Sequence, residues 1–183
     1  MNLCLSGGAK GSDAAWGAAA LAASHDVIHW SFDGHKSFDP AHTFELTSKQ
    51  LKEADERLFI ARKSIKRSWP TQSVFVNNLL RRNWYQVATC ESVYAVSILI
   101  NDDESFMKVK GGTAWALQLY VDRAGKDAKI WLFDQKQEKW FKWNINHWIE
   151  EQIIYIPIPS GVYAGIGTRE LNDAGLKAIR SVF

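Results

Sequence analysis

Hydrophobic positions in this chain fall into two kinds of pattern that alternate along its length. Continuous apolar runs occur at 2–6 (NLCLS), 26–32 (DVIHWSF), 93–100 (VYAVSILI) and 129–134 (KIWLFD), and 153–167 (IIYIPIPSGVYAGIG) has the same character. Runs of this length and composition predict short strands covered on both faces, as in a parallel sheet. Between them lie segments of helical spacing. AAWGAAALAAS extends to about Ser24 behind Ser12 or Asp13 as a cap, and its small residues suit close packing on a sheet. Residues 47–66 begin with Thr/Ser and repeat apolar side chains at Leu51, Ala54, Leu58 and Ile65, which predicts one amphipathic helix. Trp69-Pro70 ends it, and further helices are predicted over 74–90, from KGGT to about Ala124, and over TRELNDAGLKAIRSVF at the end. Residues 33–42 and the polar stretch NDDESFMKVK read as loops, and KWFKWN (140–145) alternates like an edge strand or hairpin arm. Strands alternating with helices predict an α/β fold, a three-layer parallel sheet with helices on both faces, formed as one domain over 1–183.

Composition narrows this little. The chain has 183 residues, 46% hydrophobic and 23% charged, and a net charge of +2 that does not by itself argue for nucleic acid or a membrane. No apolar run approaches the roughly 20 residues of a membrane span. The start MNLCLSGG lacks a basic and apolar leader, so no signal peptide is expected. Two unclustered cysteines, Cys4 and Cys90, fit a reducing cytoplasm better than a disulfide framework. Nine tryptophans are more than usual, read either as core aromatics or as a stacking platform for a base.

Chemistry enters with three glycine turns: SGGAKGSD (6–13), KGGTAW (110–115) and GIGTRE (165–170). Each is read as following a strand and opening a helix, which sets all three at the carboxyl edge of a parallel sheet. Backbone N–H groups and helix N-termini there attract an anion. The candidate ligand-binding residues are Gly7, Gly8, Lys10, Ser12 and Asp13 from the first turn, Gly111, Gly112 and Thr113 from the second, and Gly165, Gly167, Thr168, Arg169 and Glu170 from the third. Lys10 and Arg169 suit phosphate; Asp13 and Glu170 suit either ribose hydroxyls or the caps of their own helices. Arg82, Asn83 and Gln86 join the set because Asn83 and Gln86, three apart, share a helix face and need partners if that face is buried. No turn matches the P-loop or the GxGxxG fingerprint, which disfavours ATP hydrolysis and nicotinamide chemistry. The five histidines form no HExxH or Cys/His cluster, so no metal and no cofactor are expected; His35 and His42 are candidates for a place over the ligand. No GxSxG elbow is present.

These residues are similar to a known family. The segment 6-SGGAKGSDAAW-16 resembles the SGGAxGAD motif of the SLOG superfamily of Rossmann-like domains, which includes DNA-processing protein A, the cytokinin-activating phosphoribohydrolases and nucleotide-signal sensors of bacterial defence. Small phage-encoded proteins of this kind resemble the chain more closely, with YAGIGSRE first, then SGGAxGAD, RNxxQV and GGTxxA. Here 163-YAGIGTRE-170 follows 6-SGGAKGSD-13, 82-RNWYQV-87 and 111-GGTAWA-116, an order that implies a circularly permuted SLOG fold with Phe183 near Met1. At the position of the phosphoribohydrolases' catalytic Glu the chain carries Gln118 or another neutral residue, which cannot serve as a base. The resemblance therefore implies binding of a phosphorylated nucleotide or an ADP-ribose-like ligand, with phage sequestration or sensing of a nucleotide signal as the setting. The alternative is an N-glycosidic hydrolase or transferase with Asp13, Glu170 or Glu91 as the carboxylate. A third reading is single-stranded DNA binding through tryptophans and Arg81/Arg82, made unlikely by the small net charge. Homo-oligomers are common in the family, and the aromatics of 140–148 (WFKWNINHW) are the expected interface.

Overall fold

The computed structural model describes residues 1–100 and 107–183, so most of the polar loop expected after 100 lies outside the described residues. Eight strands form one sheet: β1 Leu3–Ser6, β2 Asp26–Phe32, β3 Thr43–Leu46, β4 Ser92–Ser97, β5 Ile130–Asp134, β6 Lys139–Asn144, β7 His147–Glu151 and β8 Val162–Gly167. Their order is β3-β2-β1-β8-β4-β5-β6-β7. β1 to β5 and β8 run parallel, and β6 and β7 add an antiparallel hairpin. The helices are α1 Ser12–Ala22, α2 Ser48–Glu53, α3 Asp55–Ile65, α4 Val74–Val87, α5 Thr113–Ala124 and α6 Asp173–Ser181.

Strand alternation sorts side chains onto two cores. Leu5, Val93, Ala95, Ile130, Leu132 and Ala164 meet α3, α4 and α5 on one face. Cys4, Tyr94, Val96, Trp131, Phe133 and Tyr163 meet α1 and α6 on the other. Both faces of β4 and β5 are buried throughout, which is why those runs are uninterrupted in the sequence. The expected three-layer Rossmann-like α/β architecture is therefore the observed one.

The departures are local. The helix expected over 47–66 is two helices meeting at Ala54, which ends α2 and begins α3. The bend lets Leu51 join Phe32 and Leu46 in a small core of their own, while Leu58, Ala61 and Ile65 reach the main one. Thr47 starts α2 with a capping box completed by Gln50. The last helix begins at Asp173, not at Thr168, because Asn172 caps it through the Gly175 N–H and Gln135 holds both the Asn172 N–H and the Glu170 carbonyl. The aromatics of 140–148 are not a free surface. Trp140, Phe141 and Trp143 are buried because β6 lies between β5 and β7, and Trp148 is half-buried with its indole N–H on the Met107 carbonyl. All nine tryptophans are buried or half-buried.

Two features concern the chain ends. Counted from β8, the six parallel strands follow the order 4-3-2-1-5-6, outward in one direction and then across to the other side. Asn2 Nδ2 lies 3.0 Å from His25 Nε2, and the His25 ring lies 5.6 Å from that of Phe183. The first and last residues thus share one edge of the molecule.

Gly165 sits in mid-strand because α1 presses on β8. A Cβ there would stand 2.6 Å from Cβ and Cγ of Trp16, whose indole N–H donates to the Ile166 carbonyl at 3.1 Å. Gly165→Ala should lower unfolding stability by about 1–3 kcal/mol through this overlap. Urea denaturation checks it; a change of a few tenths would mean that α1 yields freely.

Candidate functional cleft at the carboxyl edge

The carboxyl ends of β1, β8 and β4 are stitched together by backbone. Gly11 caps α1 at φ 94°, and a Cβ there would meet the Arg169 and Thr168 carbonyl oxygens at 2.5 and 2.6 Å. The Ser12 N–H donates to the Thr168 carbonyl at 2.9 Å, and the Thr168 N–H donates to the Val96 carbonyl at 2.9 Å. The first and third glycine turns are therefore in direct contact. The second arrives differently: after β4 the chain leaves the sheet, and the Lys110 N–H returns to the Ile98 carbonyl at 3.0 Å before Gly112 opens α5. Arg67 Nη2 donates to the Val109 carbonyl at 2.9 Å, and Asn83 Nδ2 to the Gly112 carbonyl at 3.3 Å.

Between these turns and α4 lies a cleft of about 560 Å³. Twelve of the sixteen candidate residues line it: Lys10, Asp13, Arg82, Asn83, Gln86, Gly111, Gly112, Thr113, Gly167, Thr168, Arg169 and Glu170. Gly7, Gly8, Ser12 and Gly165 stand behind the wall. Gly7 offers its carbonyl to Arg82 Nη1, Gly8 turns the chain at φ 62° and accepts the Phe38 N–H, and Gly165 makes room for Trp16. Sequence reasoning missed Arg67, Ser97 and Trp115 in the lining and left Lys110 out of the set although it belongs to the quoted turn. Nothing local marks Arg67, which reaches the cleft only because Lys66 ends α3 in the left-handed region at φ 52°.

Charge is concentrated here. Among the described residues, five cationic side chains (Lys10, Arg67, Arg82, Lys110, Arg169) and two carboxylates, Asp13 and Glu170, line the cleft. Lys10, Lys110 and Arg169 are exposed at the mouth, where Lys110 Nζ stands 3.7 Å from Glu170 Oε2. Arg82 and Asp13 form a buried pair, Nη2 to Oδ2 at 3.4 Å. Burial pushes the Asp13 carboxyl above its ordinary range against the pull of the Arg82 guanidinium. The helix ends differ in a matching way. Side chains of Thr47, Ser73 and Asn172 cap α2, α4 and α6, whereas α1 and α5, which open beside the cleft, begin on Gly11 and Gly112 with no side-chain cap. The first N–H of α1 is already taken by the Thr168 carbonyl, whereas α5 opens on the cleft itself at Gly112 and Thr113, and an uncapped helix N-terminus favours an anion.

Other candidates lie elsewhere. Glu91 is at the amino end of β4, its N–H on the Val162 carbonyl, on the opposite edge of the sheet. Gln118 is buried and donates to Asp122 Oδ1 at 2.7 Å, outside the lining. His35 is bound to Ser31 Oγ at 2.8 Å and His42 to Asp39 Oδ2 at 2.8 Å, and neither lines the cleft. Arg81 makes a two-pronged pair with Asp55 at 2.6 and 2.9 Å. Among the described residues, no group of three or more His, Cys, Asp or Glu could hold a metal, and no helix is long and apolar enough to cross a membrane.

Fold and site together define a doubly wound α/β protein with a cationic cleft at the carboxyl edge of its parallel strands. No protein-family model, no curated protein and no solved structure matches the chain.

Proposed function

We infer that the protein binds a phosphorylated small molecule, a nucleotide or ADP-ribose-like ligand, in this cleft. The observation that carries the reading is the joint placement of five cationic side chains and the uncapped N-terminus of α5 around one cavity. At about 560 Å³ the cavity is within the ordinary size range of small-molecule sites. Binding without bond cleavage is favoured because no candidate carboxylate is both buried in the cleft and free of a cation. Asp13 is paired with Arg82, Glu170 faces Lys110, and Glu91 is at the far edge. Such a protein suits sequestration or sensing of a nucleotide signal, in keeping with the phage-type motifs that its turns resemble.

A thermal-shift panel of nucleotides, cyclic ADP-ribose isomers, ribose 5-phosphate and pyrophosphate tests the proposal. A ligand present at 100 times its Kd should add about 2.7 kcal/mol to stability and raise the Tm accordingly. Lys110→Glu together with Arg169→Glu should weaken binding at least tenfold. Failure of every phosphorylated compound to shift the wild type sinks it.

A further inference from the structure

The inner part of the cleft has a chemistry that its mouth lacks. α4 leads through the short turn 88–91 into β4 and therefore runs against the strands, with Val76 near their carboxyl edge. Gln86 lies ten residues on, about 15 Å deeper at 1.5 Å per residue. One turn back on the same helix face the lining holds Asn83 and the Arg82–Asp13 pair, all buried, and it also includes the buried apolar residues Leu80, Ala116 and Ile166; the exposed cations Lys10, Lys110 and Arg169 belong to the mouth. Gln86 itself is 1% exposed, and its Nε2 has no hydrogen-bond partner, nor has Arg82 Nε on the same helix face. A buried amide donor left unsatisfied carries the full desolvation penalty, so such groups are retained where something else completes them. What would complete them is flat, mostly apolar and edged with acceptors.

We propose that the inner cleft is the subsite for a nucleobase, with Gln86 as the residue that reads the acceptor edge of the heterocycle. This rests on the phosphate-binding reading of the mouth: the phosphate meets Lys10, Lys110 and Arg169, and the ring passes inward between α4 and α5. The ligand class narrows to nucleoside phosphates that carry an intact base, and sugar phosphates alone become weak ligands. Gln86 acts on affinity and selectivity, and no bond is made or broken.

Isothermal titration of the full chain with AMP, IMP, UMP, ribose 5-phosphate and phenyl phosphate decides the matter, using wild type and Gln86→Met. Methionine keeps the unbranched shape and removes the N–H donor. At least one nucleotide should bind wild type tenfold or more tightly than ribose 5-phosphate. Q86M should weaken that nucleotide about tenfold to a hundredfold while leaving ribose 5-phosphate and phenyl phosphate unchanged. If Q86M does not fold, Gln86→Leu, which also lacks the donor, must show the same loss. Nucleotides bound no better than ribose 5-phosphate, or bound equally by the variant, overturn the base subsite and leave phosphate binding standing. No binding by any of the five compounds removes both.

Discussion

Replacing Arg82 by methionine is expected to lower the free energy of unfolding at pH 7 by about 3–5 kcal/mol, the range for breaking a buried ion pair from one side. Arg82 is 5% exposed and ties α4 to the first glycine turn by donating to the Gly7 carbonyl, while Nη2 faces Asp13. Without it the Asp13 carboxylate, itself 5% exposed, keeps only the more distant Arg169 as a counter-charge. The loss has a pH signature. Burial already holds the Asp13 carboxyl above its unfolded value, and removing the cation raises it further. A group whose folded pKa is raised costs nothing while protonated and costs more as pH rises through its titration. The deficit of Arg82→Met should therefore be smaller near pH 4 than at pH 7, and Asp13→Asn added to it should recover part of the loss at pH 7. Guanidinium denaturation at both pH values measures this. A deficit below 1 kcal/mol, equal at both, would mean that the pair contributes little.

The second large effect concerns His29. Its side chain is buried on β2 under Gly17, neither ring nitrogen has a hydrogen-bond partner, and Asp39 Oδ2 is 3.7 Å from Nε2. Burial lowers its pKa to about 4, with Asp39 opposing weakly. The unfolded chain binds a proton near pH 6.5 and the folded chain does not until about 4, so stability is complete above 6.5 and is lost as pH falls through that window. At about 1.4 kcal/mol per pH unit the loss from this residue approaches about 3 kcal/mol. His35, lowered to about 4 by burial and by Arg82, acts with the same sign but is partly exposed and contributes less. Urea unfolding of wild type and His29→Leu between pH 7.5 and 4 separates the residue from the carboxylates. The variant should hold its stability better as pH falls; identical slopes would show that His29 takes up its proton in the folded state.

What the sequence disclosed follows from where each signal resides. β4 and β5 are covered on both faces, and every residue but Asp134 at the end of β5 is apolar, aromatic or small, so their runs are continuous. The glycine turns were legible because a positive φ or a close approach leaves few residues a choice, as at Gly11 against the Arg169 carbonyl. Asn83 and Gln86 were legible from spacing alone. β3 was not, because Thr43, Phe44 and Glu45 remain accessible and only Leu46 enters a core. The break at Ala54 was hidden too, since Ala is an excellent helix former and the bend comes from two separate cores drawing on Leu51 and Leu58. Arg67 reaches the cleft through long-range packing that no local pattern records, whereas Trp115 comes with the quoted KGGTAW turn itself. Likewise GIGTRE reads as a turn into a helix, but Gln135, just past the end of β5, binds the Glu170 carbonyl and the Asn172 N–H, so the helix starts only at Asp173.

The place of β8 bears on how the chain emerges from the ribosome. β1 pairs with β8 and β8 with β4, so no ladder joins β1 directly to β4. Without residues 162–167 the sheet divides into β3-β2-β1 and β4-β5-β6-β7, two half-sheets that would each leave a central edge open until β8 arrives. Such edges pair readily with those of neighbouring chains. At about 5–20 residues per second the exposure lasts seconds for each molecule. Crowded polysomes and scarce chaperones should accordingly reduce the yield of soluble protein more than the stability of the finished fold would suggest.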